Sequence, residues 1–273
     1  MQTKRANKYG FCFGVKRAIR LAEQNRGAIT LGELIHNQKE IDRLKMDYNV
    51  NVETNLDEIK DGSSVIIRTH GIQKNDFKRL KDSNINIVDA TCPFVTKPQQ
   101  ICEKMSKEGY EIIIFGDENH PEVKGVVSYC TMPYQVVLQK EQIKINHNTK
   151  VALISQTTKN IDNFLQIVNF LIASCAEVRV FNTICNATFE NQQSAKILAK
   201  EVDVLVVVGG KQSSNTKQLL NISLEYCKDS YCIEDESELK EEWFREKKLC
   251  GITAGASTPD WIIKKVEDRI KTF

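Results

Sequence analysis

Val88-Asp89-Ala90-Thr91-Cys92-Pro93 ends a short apolar run, residues 85–88, on a cysteine fixed by a following proline. Two other segments echo it. Tyr9-Gly10-Phe11-Cys12-Phe13-Gly14 places a cysteine 80 residues earlier, and Asn182-Thr183-Ile184-Cys185-Asn186-Ala187-Thr188 places one 93 residues later. Each cysteine sits in a turn-like context just ahead of a helical pattern. Three cysteines at near-equal, domain-scale intervals predict three similar lobes, each contributing one sulfur to a common centre.

Working outward from these turns, short Val- and Ile-rich runs alternate with amphipathic stretches along the whole chain. Strands are expected over 28–31, 64–68, 85–88, 111–115, 135–138, 151–154, 178–180, 204–208 and 249–252. Helices are expected from Val15, Ala18, Ile19 and Ala22, and over 38–45, 76–81, 97–108, 125–129, 160–173, 188–201, 216–226 and 259–271. Apolar runs without polar alternation point to sheets buried on both faces, and strands alternating with helices point to parallel βαβ units. The fold class is therefore α/β.

The chain has 273 residues, 41% hydrophobic and 27% charged, enough for a substantial core. Its 38 basic and 36 acidic side chains nearly cancel, and no basic stretch is interleaved with aromatics, which argues against nucleic acid as a partner. No apolar run approaches the about 20 residues that span a bilayer. Met1-Gln2-Thr3-Lys4-Arg5 leads into no apolar signal core, so the expectation is a cytoplasmic protein with no membrane partner. Nine cysteines without an export signal argue against a disulfide framework. Cys102, Cys130, Cys175, Cys227, Cys232 and Cys250 fall within helices, strands or peripheral loops and read as core or surface thiols, because free cysteine behaves as a small hydrophobe.

The unusual polar residues cluster where an open parallel sheet binds ligands, at the carboxyl ends of strands. His36-Asn37, Thr69-His70-Gly71, Asn119-His120-Pro121-Glu122, Gln156-Thr157-Thr158, Gly209-Gly210-Lys211-Gln212-Ser213-Ser214-Asn215 and Thr253-Ala254-Gly255-Ala256-Ser257 all follow strand runs. Three of the four histidines belong to this set; His147 lies in a polar loop. The stretch from Gly209 to Asn215 reads as an anion cradle at a helix start, and Ser257-Thr258-Pro259-Asp260 reads as a second capped start. Together with the histidines these two starts suit a diphosphate. Glu122 is a candidate proton donor that Thr157 is placed to support. Three thiolates suit either zinc with one open position or a cluster of the [4Fe–4S] type held by three cysteines instead of the usual four.

These pieces, in order, resemble the 4-hydroxy-3-methylbut-2-enyl diphosphate reductase family of LytB type, which acts last in the methylerythritol phosphate route to isoprenoids. The resemblance rests on Gly10 to Val15, Leu31 to Asn37, Arg68 to Gly71, Asp89 to Pro93, Asn119 to Gly125, Ser155 to Thr158, Thr183 to Thr188, Ser213 to Asn215 and Thr253 to Ser257, and so spans essentially the whole chain. It implies three small α/β lobes in a pseudo-threefold trefoil around a central iron–sulfur cluster, with lobes at 13–92, 93–184 and 185–273, residues 1–12 joining the third. It implies a [4Fe–4S] cluster on Cys12, Cys92 and Cys185 with one open iron, and a diphosphate substrate. His36, His70, His120, Thr157, Thr158, Ser213, Ser214, Asn215 and Ser257 would contact that substrate, with Glu122 relaying a proton. A ferredoxin or flavodoxin-type protein would donate electrons.

Overall fold

The structure, a computed structural model, describes residues 1–273. Strand β1 (Gln2–Arg5) and helix α1 (Phe13–Gln24) open the chain. Then come β2 (Ile29–Leu31), α2 (Gln38–Tyr48), β3 (Asn51–Glu53), β4 (Ser64–Ile67), α3 (Lys74–Asp82) and β5 (Asn86–Asp89). The middle of the chain forms α4 (Pro93–Lys107), β6 (Glu111–Phe115), α5 (Pro121–Val127), β7 (Tyr134–Val137), β8 (Lys150–Ser155), α6 (Ile161–Ser174) and β9 (Glu177–Val180). The last part forms α7 (Asn186–Ala199), β10 (Val204–Val208), α8 (Ser214–Tyr226), β11 (Ser230–Ile233), β12 (Leu249–Ala254) and α9 (Asp260–Ile270).

The strands make three four-stranded sheets, and every pairing is parallel. The orders are β3-β2-β4-β5, β7-β6-β8-β9 and β11-β10-β12-β1. All three obey one rule. The first strand of each lobe is central, the second pairs on its outer side, the third on its inner side, and the fourth closes the other edge. In the third lobe that fourth strand is β1, supplied by the N-terminus. An α/β protein is thus what the apolar runs implied, and three lobes are what the intervals between the three cysteines implied. The chain divides into two compact units, one of residues 1–16, 35–43 and 186–273, the other of residues 17–34 and 44–185. The first unit holds one sheet and the second holds two.

Each sheet is covered on both faces because its central strands carry runs of consecutive apolar residues. In the second lobe Ile113, Phe115, Val151 and Leu153 pack against Phe164, Ile167 and Leu171 of α6. The alternate residues Ile112, Ile114, Ala152 and Ile154 pack against Cys102 and Met105 of α4 and Val123 and Val126 of α5. In the third lobe Val204, Val206, Val208 and Ile252 meet Ile262, Ile263 and Val266 of α9, while Leu205 and Val207 meet Ala195 and Leu198 of α7 and Leu219 of α8.

The strands that sequence patterning misses, β1, β3 and β11, are all edge strands with a single partner. Gln2-Thr3-Lys4-Arg5 alternates exposed and half-buried positions and so carries no apolar run. Several helices also begin earlier than periodicity suggests, α4 at Pro93, α5 at Pro121, α7 at Asn186 and α8 at Ser214. Their first turns hold proline, hydroxyl or amide residues that satisfy helix-start geometry without apolar spacing.

Leu153 is fully buried on the α6 face of its sheet. Leu153→Ala is expected to lower unfolding stability in urea by about 2–5 kcal/mol. Ile172→Ala, on a residue 62% exposed, is expected to change it by no more than about 0.5 kcal/mol.

Candidate functional site

The three cysteines turn out to occupy one repeated backbone position. Each follows the fourth strand of a lobe, β1, β5 or β9, and immediately precedes a helix, α1, α4 or α7. Each donates its backbone N–H to the carbonyl two residues past the end of the neighbouring third strand: Cys12 to Ala256 at 3.2 Å, Cys92 to Thr69 at 3.0 Å and Cys185 to Thr157 at 2.9 Å. The residue two before the cysteine is tied in as well. Gly10 donates to Ala254 and Ala90 to Ile67, each at 3.1 Å. In the second lobe the Thr183 hydroxyl takes over, donating to the Ser155 carbonyl at 2.5 Å. All three thiols are half-buried. Arg17, which sequence reasoning passed over, fixes the Cys92 loop by donating from Nη2 to the Asp89 carbonyl at 2.9 Å and from Nη1 to the Thr91 carbonyl at 3.3 Å.

The other polar residues repeat too. A glycine follows each first strand, and its N–H donates to the last residue of the second strand: Gly32 to Glu53 at 2.7 Å, Gly116 to Val137 at 2.9 Å and Gly209 to Ile233 at 2.8 Å. A Cβ at Gly209 would lie 2.5 Å from Thr216 Oγ1, so no larger residue fits there without a shift. Four residues after each glycine stand His36, His120 and Ser213. Three residues past each third strand stand His70, Thr158 and Ser257. In every lobe the first and third strands are neighbours whose connections diverge to opposite sides, and the carboxyl ends of such a pair form the crevice where doubly wound sheets bind ligands.

In the second unit, His120 is the N-cap of α5, and its Nδ1 accepts the Glu122 N–H at 3.2 Å. That role leaves the imidazole proton on Nε2. The His70 and His120 rings meet edge to face with centroids 5.3 Å apart. Glu122 is 1% exposed. Its Oε1 accepts the Thr157 N–H and its Oε2 accepts the Thr157 hydroxyl, both at 2.7 Å. Burial pushes the Glu122 pKa up, outweighing the two Thr157 bonds that favour the carboxylate. Lys159, also buried, has its pKa pushed down by the same desolvation, against the pull of Asp117 and Glu122. Lys159 was not picked out from sequence, where it reads as the polar residue after two threonines. Thr158 accepts from Gln156 Nε2 at 3.3 Å.

In the first unit, Ser213 is the N-cap of α8 and accepts the Thr216 N–H at 3.3 Å, with Ser214 and Asn215 in the first turn. Asn215 is 3% exposed, and both its amide atoms, Nδ2 and Oδ1, are buried without a hydrogen-bond partner. An orphaned amide in a native interior calls for an explanation, since each such group costs about 1–3 kcal/mol. The Ser257 hydroxyl donates to the His36 carbonyl at 3.1 Å, and a Cβ at Gly210 would lie 2.5 Å from that same oxygen. Lys211 is turned to the acidic side chains, its N–H to Glu234 and its Nζ to Glu238.

A carboxyl whose folded pKa lies above its unfolded value binds more protons in the native chain. Its contribution to stability is present below the ordinary carboxylate value of 4.5 and is lost as pH rises through the folded value. Glu122→Gln, neutral at every pH, is therefore expected to flatten this part of the profile. The melting temperature of the variant relative to the parent should climb from pH 4 to pH 8.

The LytB protein family matches residues 3–271 of the chain. Among similar proteins, 4-hydroxy-3-methylbut-2-enyl diphosphate reductase of Wolinella succinogenes is 61% identical over 274 residues, covering 100% of this chain and 99% of the relative. The protein of the same name from Helicobacter pylori is 59% identical, covering 100% of both. A solved structure of (E)-4-hydroxy-3-methyl-but-2-enyl diphosphate reductase, the terminal enzyme of the non-mevalonate pathway, is 41% identical, aligns with a TM-score of 0.71 and covers 100% of both chains. The Plasmodium falciparum reductase structure is 25% identical, with a TM-score of 0.91 over 98% of this chain and 87% of the other. With its three repeated cysteine positions and a match to nearly every residue, the chain belongs to the LytB family.

Proposed function

We propose that this chain is a 4-hydroxy-3-methylbut-2-enyl diphosphate reductase. It removes the allylic hydroxyl of its substrate with two electrons and two protons, giving water and isopentenyl or dimethylallyl diphosphate. The observation that carries this reading is the buried Glu122 carboxyl held at both oxygens by Thr157. Hydroxide is a poor leaving group, so the step needs an acid at the departing oxygen. A carboxyl raised by burial is suited to be that acid at neutral pH.

Cys12, Cys92 and Cys185 fit an iron–sulfur cluster, because they are half-buried thiols in one repeated backbone setting. These three cysteines would hold a [4Fe–4S] cluster, which would supply electrons and Lewis-acid chemistry. The protein's own residues do the rest. In the first unit His36, Ser213, Ser214, Asn215 and Ser257 hold phosphate oxygens, and the orphaned Asn215 amide gains the partner it lacks. In the second unit His120 offers its Nε2 proton and His70 its ring to the same anion, with Thr158 beside them. Thr157 orients Glu122 as the proton moves, and Lys159 offers a second buried proton source near it. A ferredoxin or flavodoxin-type protein supplies electrons. The lobes run over 13–92, 93–184 and 185–273 with 1–12, since α4 and α7 each pack on the sheet that follows them in sequence.

The test is an anaerobic count of iron and acid-labile sulfide together with turnover by a reduced mediator. The parent is expected to hold about four of each per chain, and Cys185→Ser to lose them. Glu122→Gln is expected to keep the cluster while turnover falls about 100-fold or more; turnover within twofold of the parent would remove Glu122 from the proton path. Asn215→Leu is expected to unfold at higher urea than the parent without ligand, by about 1–2 kcal/mol. It should also bind inorganic diphosphate more weakly by calorimetry.

A further inference from the structure

Cys102 and Cys130 lie outside the site just described, and the cysteine repeat does not use them. Cys102 is in the second half of α4 and fully buried; Cys130 is half-buried, three residues past the end of α5. Their sulfurs are 2.7 Å apart. That is well inside ordinary non-bonded contact, which begins near about 3.5 Å. The pair is walled by Met105, Tyr110, Ile112, Val123 and Val126, so both sulfurs are held against each other by a packed core and not by surface chance. One turn beyond Cys102 on α4, the Ser106 hydroxyl is buried and finds no oxygen or nitrogen partner. Contact with Cys102, then this hydroxyl, favours the thiolate at Cys130, whereas contact with Cys130 and burial keep Cys102 a thiol. One sulfur is thus a half-exposed nucleophile and the other an enclosed resolving thiol. Among the other buried cysteines, the Cys227 thiol faces the carbonyls of Val202 and Asp229, and the Cys250 thiol faces that of Gly251.

We infer that Cys102 and Cys130 are a peroxide-reactive dithiol that closes to a disulfide and staples α4 to the end of α5. In the first step the Cys130 sulfur attacks one oxygen of hydrogen peroxide, the O–O bond breaks, hydroxide leaves and Cys130 becomes a sulfenic acid. In the second, the Cys102 sulfur attacks the Cys130 sulfur, the S–O bond breaks and water leaves, taking up the Cys102 thiol proton. The two sulfurs lose two electrons in all, and one peroxide gains them. A dithiol reductant reverses the change by exchange. The location gives the bond a consequence. α4 begins directly after Cys92, and α5 begins with His120 as its cap and Glu122 in its first turn. A covalent tie between these two helices stiffens the frame of both, and cross-linking residues 28 apart restricts the unfolded chain.

The experiment is an anaerobic titration of the full chain with one to five equivalents of hydrogen peroxide. Alkylation and tryptic mapping without reductant follow. Lys104 and Lys124 separate the two cysteines, so the bond joins two distinct peptides. The expected result is a linked pair holding Cys102 and Cys130, two hydrogens lighter than the separate peptides. It should disappear with dithiothreitol and coincide with a rise in melting temperature of about 5 °C. Cys130→Ser should give neither the linked pair nor the rise, and Cys102→Ser should leave a Cys130 sulfenic acid that dimedone traps. If Cys102→Ser fails to fold, Cys130→Ser, at the more exposed position, carries the test alone. Both cysteines alkylated as free thiols after peroxide, or Cys130 joined to another cysteine, would overturn the inference. The readout is the bond itself, so it stands or falls independently of the reductase reading.

Discussion

The structure depends on one constraint, that a parallel sheet covered on both faces has no place for polar chemistry except at its strand ends. Residues such as Ile112 to Phe115 and Val204 to Val208 are buried one after another, each facing a helix on one side or the other. Backbone hydrogen bonds satisfy their amides, and few other polar groups are accommodated within the layers. At the carboxyl ends the ladder runs on for one or two more residues, and there it fixes the loops. The bonds from Cys12, Cys92 and Cys185 to the carbonyls just past β12, β4 and β8 are extensions of the sheet. They set three loops in register with three sheets using backbone alone.

That register explains how chemically different side chains came to hold equivalent posts. His36, His120 and Ser213 all stand four residues past a strand-end glycine, while His70, Thr158 and Ser257 all stand three past a third strand. Glu122 and Asn215 each sit two residues past a helix N-cap and are each nearly fully buried. Yet their surroundings differ. Glu122 has both oxygens bonded to Thr157, whereas the Asn215 amide has no partner within the chain. The same scaffold position therefore yields a buried carboxyl held at both oxygens in one lobe and an unsatisfied hydrogen-bonding amide in another. A repeated fold becomes an asymmetric site through its side chains.

Helix starts do much of the positioning. His120 spends its Nδ1 on the α5 cap, which sets its tautomer, and Ser213 caps α8. Burial then tunes the acid–base groups, raising Glu122 and lowering Lys159. Both effects bring these groups closer to neutrality, the range in which proton transfer is most effective. No helix is long and apolar enough to cross a membrane.

Read alone, the sequence already identified the α/β class, the three cysteine turns and nearly all the polar residues at strand ends. Those signals are local: apolar runs mark central strands, and proline, glycine and hydroxyl residues mark the turns after them. It did not reveal β1, β3 or β11, because an edge strand is half solvated and needs no apolar run. Nor did it reveal that β1 completes the third lobe, since that pairing joins residues 2–5 to residues 249–252 across almost the full chain. Arg17, Lys159 and the Cys102–Cys130 contact were equally hidden. What makes each of them matter is a partner 28 to 74 residues away or a desolvated setting, and both are properties of packing. Sequence chose the chemical groups; the tertiary structure decided which were buried, which were paired and so which can act.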